Sequence, residues 1–272
     1  INDYYACSLL HELRSTSRRD ETLALARKLA LQTLKDESHC SLVAEVFSEA
    51  LLHQESAEFL ERATSVHPGA AHLFHNLGIS YSRMRELPKA LKAFKRAVEL
   101  KPYSELSLTM AGSVLKELGK IPEALEFHGA ASRINPKSAL VLYNLGNALH
   151  AHGELKGALQ AYTQGLALNP DGVDLLNNLC SVMMQMDLFH LAIPHLIKLT
   201  KLRGNTEHDL ARLSFALRES NRLQEALDIA EILVRQSPSV HTYRILLGAC
   251  LSRIGRAEDA IVQYKKAIQL QP

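Results

Sequence analysis

Residues 139–172 read ALVLYNLGNALHAHGELKGALQAYTQGLALNPDG, and this stretch decides the fold. Between Ala139 and His152, Leu142, Leu145 and Leu149 fall at i, i+3 and i+7, the apolar stripe of an amphipathic helix. Gly153 stands where that helix must end, in a slot that often requires positive φ. A second stripe follows in Leu155, Ala158, Leu159, Tyr162 and Leu166. Asn169-Pro170 closes it, because proline cannot continue a helix and disfavours helical geometry in the residue before it. The stretch is a helical hairpin.

The hairpin repeats. Pro68, Pro102, Pro136 and Pro170 are spaced by 34 residues; Gly204 occupies the next slot, and Pro238 and Pro272 resume the series. Ala90, Ala124, Ala158, Ala192, Ala226 and Ala260 keep the same beat, as do Gly78, Gly112 and Gly146, with Gly248 later. The helix-ending slot holds Gly119, Gly153, Asp187, Asn221 and Gly255, with Arg85 as an exception to the Gly, Asn or Asp pattern. Pro88 and Pro122 begin second helices, where a missing N–H is harmless. Pro194 falls deeper in a second helix and predicts a local distortion. The small first-helix glycines and second-helix alanines predict close helix approach. Each hairpin leaves an apolar face open, so neighbours must stack to bury it.

Composition sets the outer bounds. The 272 residues carry 31 Lys+Arg against 29 Asp+Glu, with 47% hydrophobic residues. Such a chain can bury a core, unlike a disordered one, and has no global charge to drive it onto nucleic acid or an anionic membrane. No long uncharged run predicts membrane insertion. Cys7, Cys40, Cys180 and Cys250 are far apart, which argues against disulfide or zinc frameworks and for an intracellular, cytoplasmic setting. The chain starts at Ile1 without a signal-peptide pattern and reads as a piece of something longer.

Residues 71–104 carry a specific signature: Phe74, Leu77-Gly78, Tyr81, Ala90, Phe94, Ala97 and Pro102. This pattern resembles the tetratricopeptide repeat, whose period is 34 residues. The resemblance implies an all-α, right-handed α-α superhelix of about eight helix-turn-helix units. The units are 1–36 (divergent), 37–70 (looser, with Ser56 in place of Ala), 71–104, 105–138, 139–172, 173–206 (irregular), 207–240 and 241–272. A 35-residue RNA-binding helical repeat has the wrong period. The irregular unit has Cys180 for Gly, Gly204 for Pro and an internal Pro194, marking a bend or joint. Ile261, Tyr264 and Ile268 form an uncapped last face that invites self-association.

In this family the first helices line a concave groove that holds an extended peptide or partner helix. The resemblance places His72, His75 and Asn76 on that groove, then Thr109 and Lys116, then Tyr143, Asn144, Asn147 and His150. Asn177, Asn178 and Ser181 follow, and His208, Arg212 and Arg218 complete the set. Asn76, Asn144 and Asn178 are in phase, interrupted by Met110, a row similar to the asparagine ladder of O-GlcNAc transferase repeat arms. An amide offers both donor and acceptor to a peptide backbone. Asn147, Asn178, His208 and Arg212 resemble a carboxylate clamp. Tyr143 and His208 replace its two lysines, which argues against a true chaperone clamp and for another acidic or C-terminal motif.

If His72, His75, His150 and His208 share a groove, affinity changes between pH 5 and 7. The histidine spacing offers no metal site, and no phosphate loop or nucleophile motif points to an enzyme or to a cofactor. Cys180, Cys250 and Met183 read as core. The expected function is a non-enzymatic scaffold or adaptor for a protein or peptide partner within a multiprotein assembly. The alternative is the substrate-recruiting arm of a larger glycosyltransferase.

Overall fold

The computed structural model describes residues 3–16 and 18–270, and no strand occurs among them. Two compact units divide the chain. The first, Ile1–Pro136, contains α1 (Asp3–Ser15), α2 (Arg19–Ala30), α3 (Glu37–Glu49), α4 (His53–Val66), α5 (Ala71–Arg83), α6 (Leu87–Leu100), α7 (Glu105–Glu117) and α8 (Ile121–Ile134). The second, Lys137–Pro272, contains α9 (Ala139–His152), α10 (Leu155–Leu168), α11 (Val173–Gln185), α12 (Phe189–Leu202), α13 (Glu207–Glu219), α14 (Leu223–Gln236), α15 (His241–Ile254) and α16 (Ala257–Leu270). Odd-numbered helices are the first helices of eight hairpins.

Every hairpin turn from α3 onward uses one device. Leu51, Arg85, Gly119, Gly153, Asp187, Asn221 and Gly255 all have positive φ, between 56° and 92°. The next residue's N–H reaches back five residues: Leu52 to the Phe47 carbonyl at 2.8 Å, Glu86 to Tyr81 at 2.9 Å, Glu154 to Leu149 at 2.9 Å. This is a Schellman closure, which satisfies carbonyls the helix end would otherwise orphan. The slot is therefore left-handed even where Arg85 or Leu51 fills it, and Arg85 is no exception to the geometry.

Hairpin seams are packed by a glycine facing a ring. A Cβ at Gly78 would lie 2.6 Å from the Phe94 ring, at Gly146 2.5 Å from Tyr162, and at Gly248 2.8 Å from Tyr264. At Gly112 the ring is His128, at 2.8 Å. Where the first helix carries a larger residue, the second-helix slot shrinks to match: Cys180 corresponds to Leu196, and Ser214 to Ala230. Phe94 and Tyr162 are fully buried, each such side chain contributing about 1.5–3 kcal/mol. Ser56 is tolerated in an alanine slot because its hydroxyl accepts from Ser80 Oγ at 3.0 Å.

Within each unit the hairpins stack. The second helices α2, α4 and α6 pack on α3, α5 and α7, and α10, α12 and α14 on α11, α13 and α15. First helices also meet one another: α1 with α3, α3 with α5 and α5 with α7, then α9 with α11 and α13 with α15. Each unit has its own apolar core, centred on Phe47, Leu60, Leu73 and Phe94 in the first and on Tyr162, Leu179, Leu196 and Leu213 in the second.

Two details concern the irregular hairpin. Helix α12 runs unbroken through Pro194, from Phe189 to Leu202. Both Pro194 and His190 are exposed, so the carbonyl losing its partner lies on the solvent side. The exit from α12 is the irregular feature. The second helices α4, α6, α8, α10 and α14 leave through a residue at φ near −130° with positive ψ, such as Asn169 at φ −132°, ψ 82°. At α12, Gly204 (φ 72°) and Asn205 (φ 56°) are both left-handed, and Asn205 N–H bonds the Thr200 carbonyl at 2.7 Å. Replacing proline by glycine thus converts that exit into a left-handed one.

Candidate partner-binding surface

The first helices of the second unit carry a connected chain of polar side chains. Tyr162 Oη on α10 donates to Asn147 Oδ1 on α9 at 2.7 Å. Asn178 Nδ2 on α11 donates to the same oxygen at 2.8 Å. Asn177 Nδ2 donates to Asn178 Oδ1 at 3.2 Å. Arg212 on α13 donates through Nη1 to Asn177 Oδ1 at 2.7 Å and through Nη2 to Ser181 Oγ at 3.1 Å. These side chains are half-buried apart from Tyr162, which is fully buried.

The chain ends on a buried carboxylate. Asp209 is 0% exposed, with Oδ1 3.5 Å from Arg203 Nη1 and 3.9 Å from Arg212 Nη1. Its Oδ2 accepts from Thr206 Oγ1 at 2.7 Å, while Thr206 Oγ1 accepts from the Asp209 N–H at 3.3 Å, a cap at the start of α13. Asp209 occupies the slot held by Val141 and Leu175 in the two preceding hairpins, both buried. Two guanidinium groups offset the buried charge, although Oδ1 accepts no hydrogen bond among the described residues.

These bonds fix which atoms remain for a partner. Asn147 Oδ1 accepts twice, so its Nδ2 is left to donate. Asn178 spends one N–H on Asn147 and keeps one. Asn144 is half-buried and His208 exposed, and neither makes a side-chain hydrogen bond among the described residues. Arg212 spends most of its N–H groups inward, so it acts on this surface chiefly as a positive charge. Tyr143 packs its ring 6.4 Å from that of Tyr162, and burial pushes the Tyr162 hydroxyl up to about 12. His150 Nε2 meets Gln185 Oε1 at 2.8 Å, and Arg218 stacks 4.7 Å above the Phe215 ring while pairing with Glu219.

The remaining sequence candidates lie in the first unit. Asn76 and Ile79 line a shallow cavity of about 250 Å³ with Arg14, Glu45 and Glu49. Arg14 is bound by both carboxylates, at 2.8 Å to Glu45 and 3.1 Å to Glu49 through Nε. His72 is exposed, 3.4 Å from the Glu37 carbonyl. His75 is a packing group: its Nδ1 meets Ser107 Oγ at 3.0 Å, its ring lies 5.6 Å from Phe94, and burial lowers its pKa. Lys116 is half-buried on α7. Thr109 corrects the sequence reading: at 3% exposure it faces the core, not a groove.

Sequence reasoning missed Tyr162 and Asp209, both buried, as anchors of the polar chain beneath this surface. The signal for Asp209 was available as an acidic residue in an apolar phase; Tyr162 reads as core from its stripe. Burial raises the Cys180 thiol to about 12 and Cys40 to about 11, holding both protonated and far from nucleophilic character. Among the described residues no cluster of His, Cys, Asp or Glu could hold a metal ion, and no helix is long and apolar enough to cross a membrane.

Comparison with known proteins addresses the repeat. Profiles described as tetratricopeptide repeat match residues 71–104, 139–171 and 215–272, and one described as TPR repeat matches 112–153. Together they span more than half of the chain. The chain is similar to the C-terminal part of a TPR repeat-containing protein from Cytophaga hutchinsonii, at 16% identity and TM-score 0.71 over 89% of this chain and 99% of that one. It is similar to YrrB, "a TPR protein with an unusual peptide-binding site", at 22% identity and TM-score 0.61 over 67% and 94%. It is also similar to MamA from Desulfovibrio magneticus RS-1, at 17% identity and TM-score 0.59 over 64% and 99%. These are likenesses of fold. Comparison with curated protein sequences returns no match.

Proposed function

We propose, from the premise that this chain belongs to the tetratricopeptide-repeat family, that it is a protein-interaction module holding an extended partner segment against α9, α11 and α13. The observation that carries this reading is the double acceptance at Asn147 Oδ1, which leaves the Asn147 amide to donate in a fixed direction. Asn178 and Asn144 supply further amide groups one repeat apart. Amides so held suit backbone carbonyls, which all sequences offer. Because Asn147 and Asn178 are oriented before binding, little of their side-chain entropy is lost on association.

Arg212 biases the choice of partner. Its guanidinium is half-buried and spent on Asn177 and Ser181, so it adds charge rather than a free fork. An acidic or C-terminal segment fits that field better than a basic one. The peptide-binding site named for YrrB supports the general idea of a segment in such an array.

Partner capture tests the reading. The intact chain is compared with an Asn144→Ala/Asn178→Ala variant and with an exposed Glu126→Ala control. The double variant should lose its partners at least tenfold, about 1.4 kcal/mol, while the control keeps them. Unchanged capture by the double variant would remove the amides from the account.

A further inference from the structure

The first unit carries a different kind of surface. A cavity of about 900 Å³ opens between α4 and α6, with the α5 residues Phe74, Leu77 and Tyr81 at its base. These three sit at i, i+3 and i+7, a different face of α5 from Asn76 and Ile79. Its volume lies in the range of pockets that enclose a drug-sized group. The α6 wall is basic, with Lys89, Lys92 and Arg96 at i, i+3 and i+7 on one stripe. Lys89 Nζ lies 5.4 Å from the Tyr81 ring centroid, and the Arg96 guanidinium 6.0 Å from that of Phe74.

The lining itself carries a surplus of cations. Lys89, Lys92, Lys95 and Arg96 line the cavity against two carboxylates, Glu61 and Glu99. Glu61 is already occupied by the Tyr81 hydroxyl, and Glu99 pairs with Arg96 at 2.9 Å. Lys95 is held by Glu123 at 3.3 Å and Lys89 by Glu86 at 3.6 Å, both carboxylates outside the cavity lining. Lys92 is exposed and has no ion pair among the described residues. The result is an apolar floor beside a basic wall, in which Lys89 and Arg96 lie over rings and Lys92 has no ion pair among the described residues.

We propose that this cavity is a second docking site, for an acidic partner segment bearing an aliphatic or aromatic anchor. The anchor enters over Leu77, Leu91 and Ala93, and its flanking carboxylates engage Lys89, Lys92 and Arg96. Charge complementarity selects the acidic segment, and the desolvated anchor supplies the hold. The site lies in the first unit and is independent of the amide chain of the second.

Selection of a random peptide library displayed on phage, with the intact chain as bait, tests this. Enriched peptides are remeasured on a Lys92→Glu/Arg96→Glu variant, whose helicity is verified by circular dichroism, and on Asn178→Ala. The site predicts peptides with Asp or Glu around a Leu or Phe. Their affinity should fall about tenfold or more on the charge-reversed variant, weaken as salt rises, and stay unchanged on Asn178→Ala. The inference is overturned if no enriched peptide responds to the charge reversal, or if the responsive peptides are not acidic. It is equally overturned if replacing the anchor by Ser leaves the affinity intact.

Discussion

Gly146 and Gly129 are both helical glycines, yet their surroundings predict opposite outcomes of the same substitution. A methyl at Gly146 would sit 2.5 Å from the buried Tyr162 ring, so Gly146→Ala must shift the ring and with it the Asn147 bond. Overpacking of this kind should destabilise by about 1–3 kcal/mol. At Gly129 the nearest atom is the end of Arg133, 3.6 Å away. Gly129→Ala should therefore stabilise by about 0.5–1 kcal/mol, through lower chain entropy in the unfolded state. Urea unfolding of the two variants measures both; equal signs would contradict the seam argument. Much at this scale was legible: the positive-φ slots and the seam glycines stand out by phase alone. The partner of Asn147 was not, because Asn178 lies 31 residues away and only the stacking of α9 on α11 sets that distance. Thr109 shows the reverse failure, since a polar residue in a groove phase turned out to face the core.

At the scale of elements, α12 and the α7–α8 seam make separate predictions. Because α12 is continuous through Pro194, the proline only removes a hydrogen bond and adds a clash. Pro194→Ala should stabilise the chain by roughly 1–3 kcal/mol, read as a raised urea midpoint. A drop would mean that the proline shapes the left-handed exit at Gly204 and Asn205. In the α7–α8 seam, His128 takes the place of a ring residue at 1% exposure. Burial first, and Lys116 second, lower its pKa from 6.5 to about 4. The unfolded chain then binds the extra proton between these values. Stability is fully present above pH 6.5 and falls as pH drops toward 4, by at most about 3 kcal/mol. His128→Phe, copying the Gly78–Phe94 seam, should flatten that part of the pH–stability profile. An unchanged slope would assign the acid sensitivity elsewhere.

At the scale of the whole molecule, the period in the prolines, glycines and alanines was enough to indicate stacked helical hairpins, because each unit repeats the same backbone problem. The candidate binding surface is less legible for a physical reason. First-helix polar residues share a phase whether they face solvent, one another or a partner, and only packing distinguishes these. Under the proposed function, α9, α11 and α13 present amides to a partner segment. Side-chain amide NMR of the chain, titrated with a captured partner segment, tests this most directly. The Asn144, Asn147 and Asn178 Nδ2 resonances should shift on binding while Gln160, exposed on the second helix α10, stays in place. Shifts confined to α10, α12 and α14, with the three asparagines silent, would contradict it.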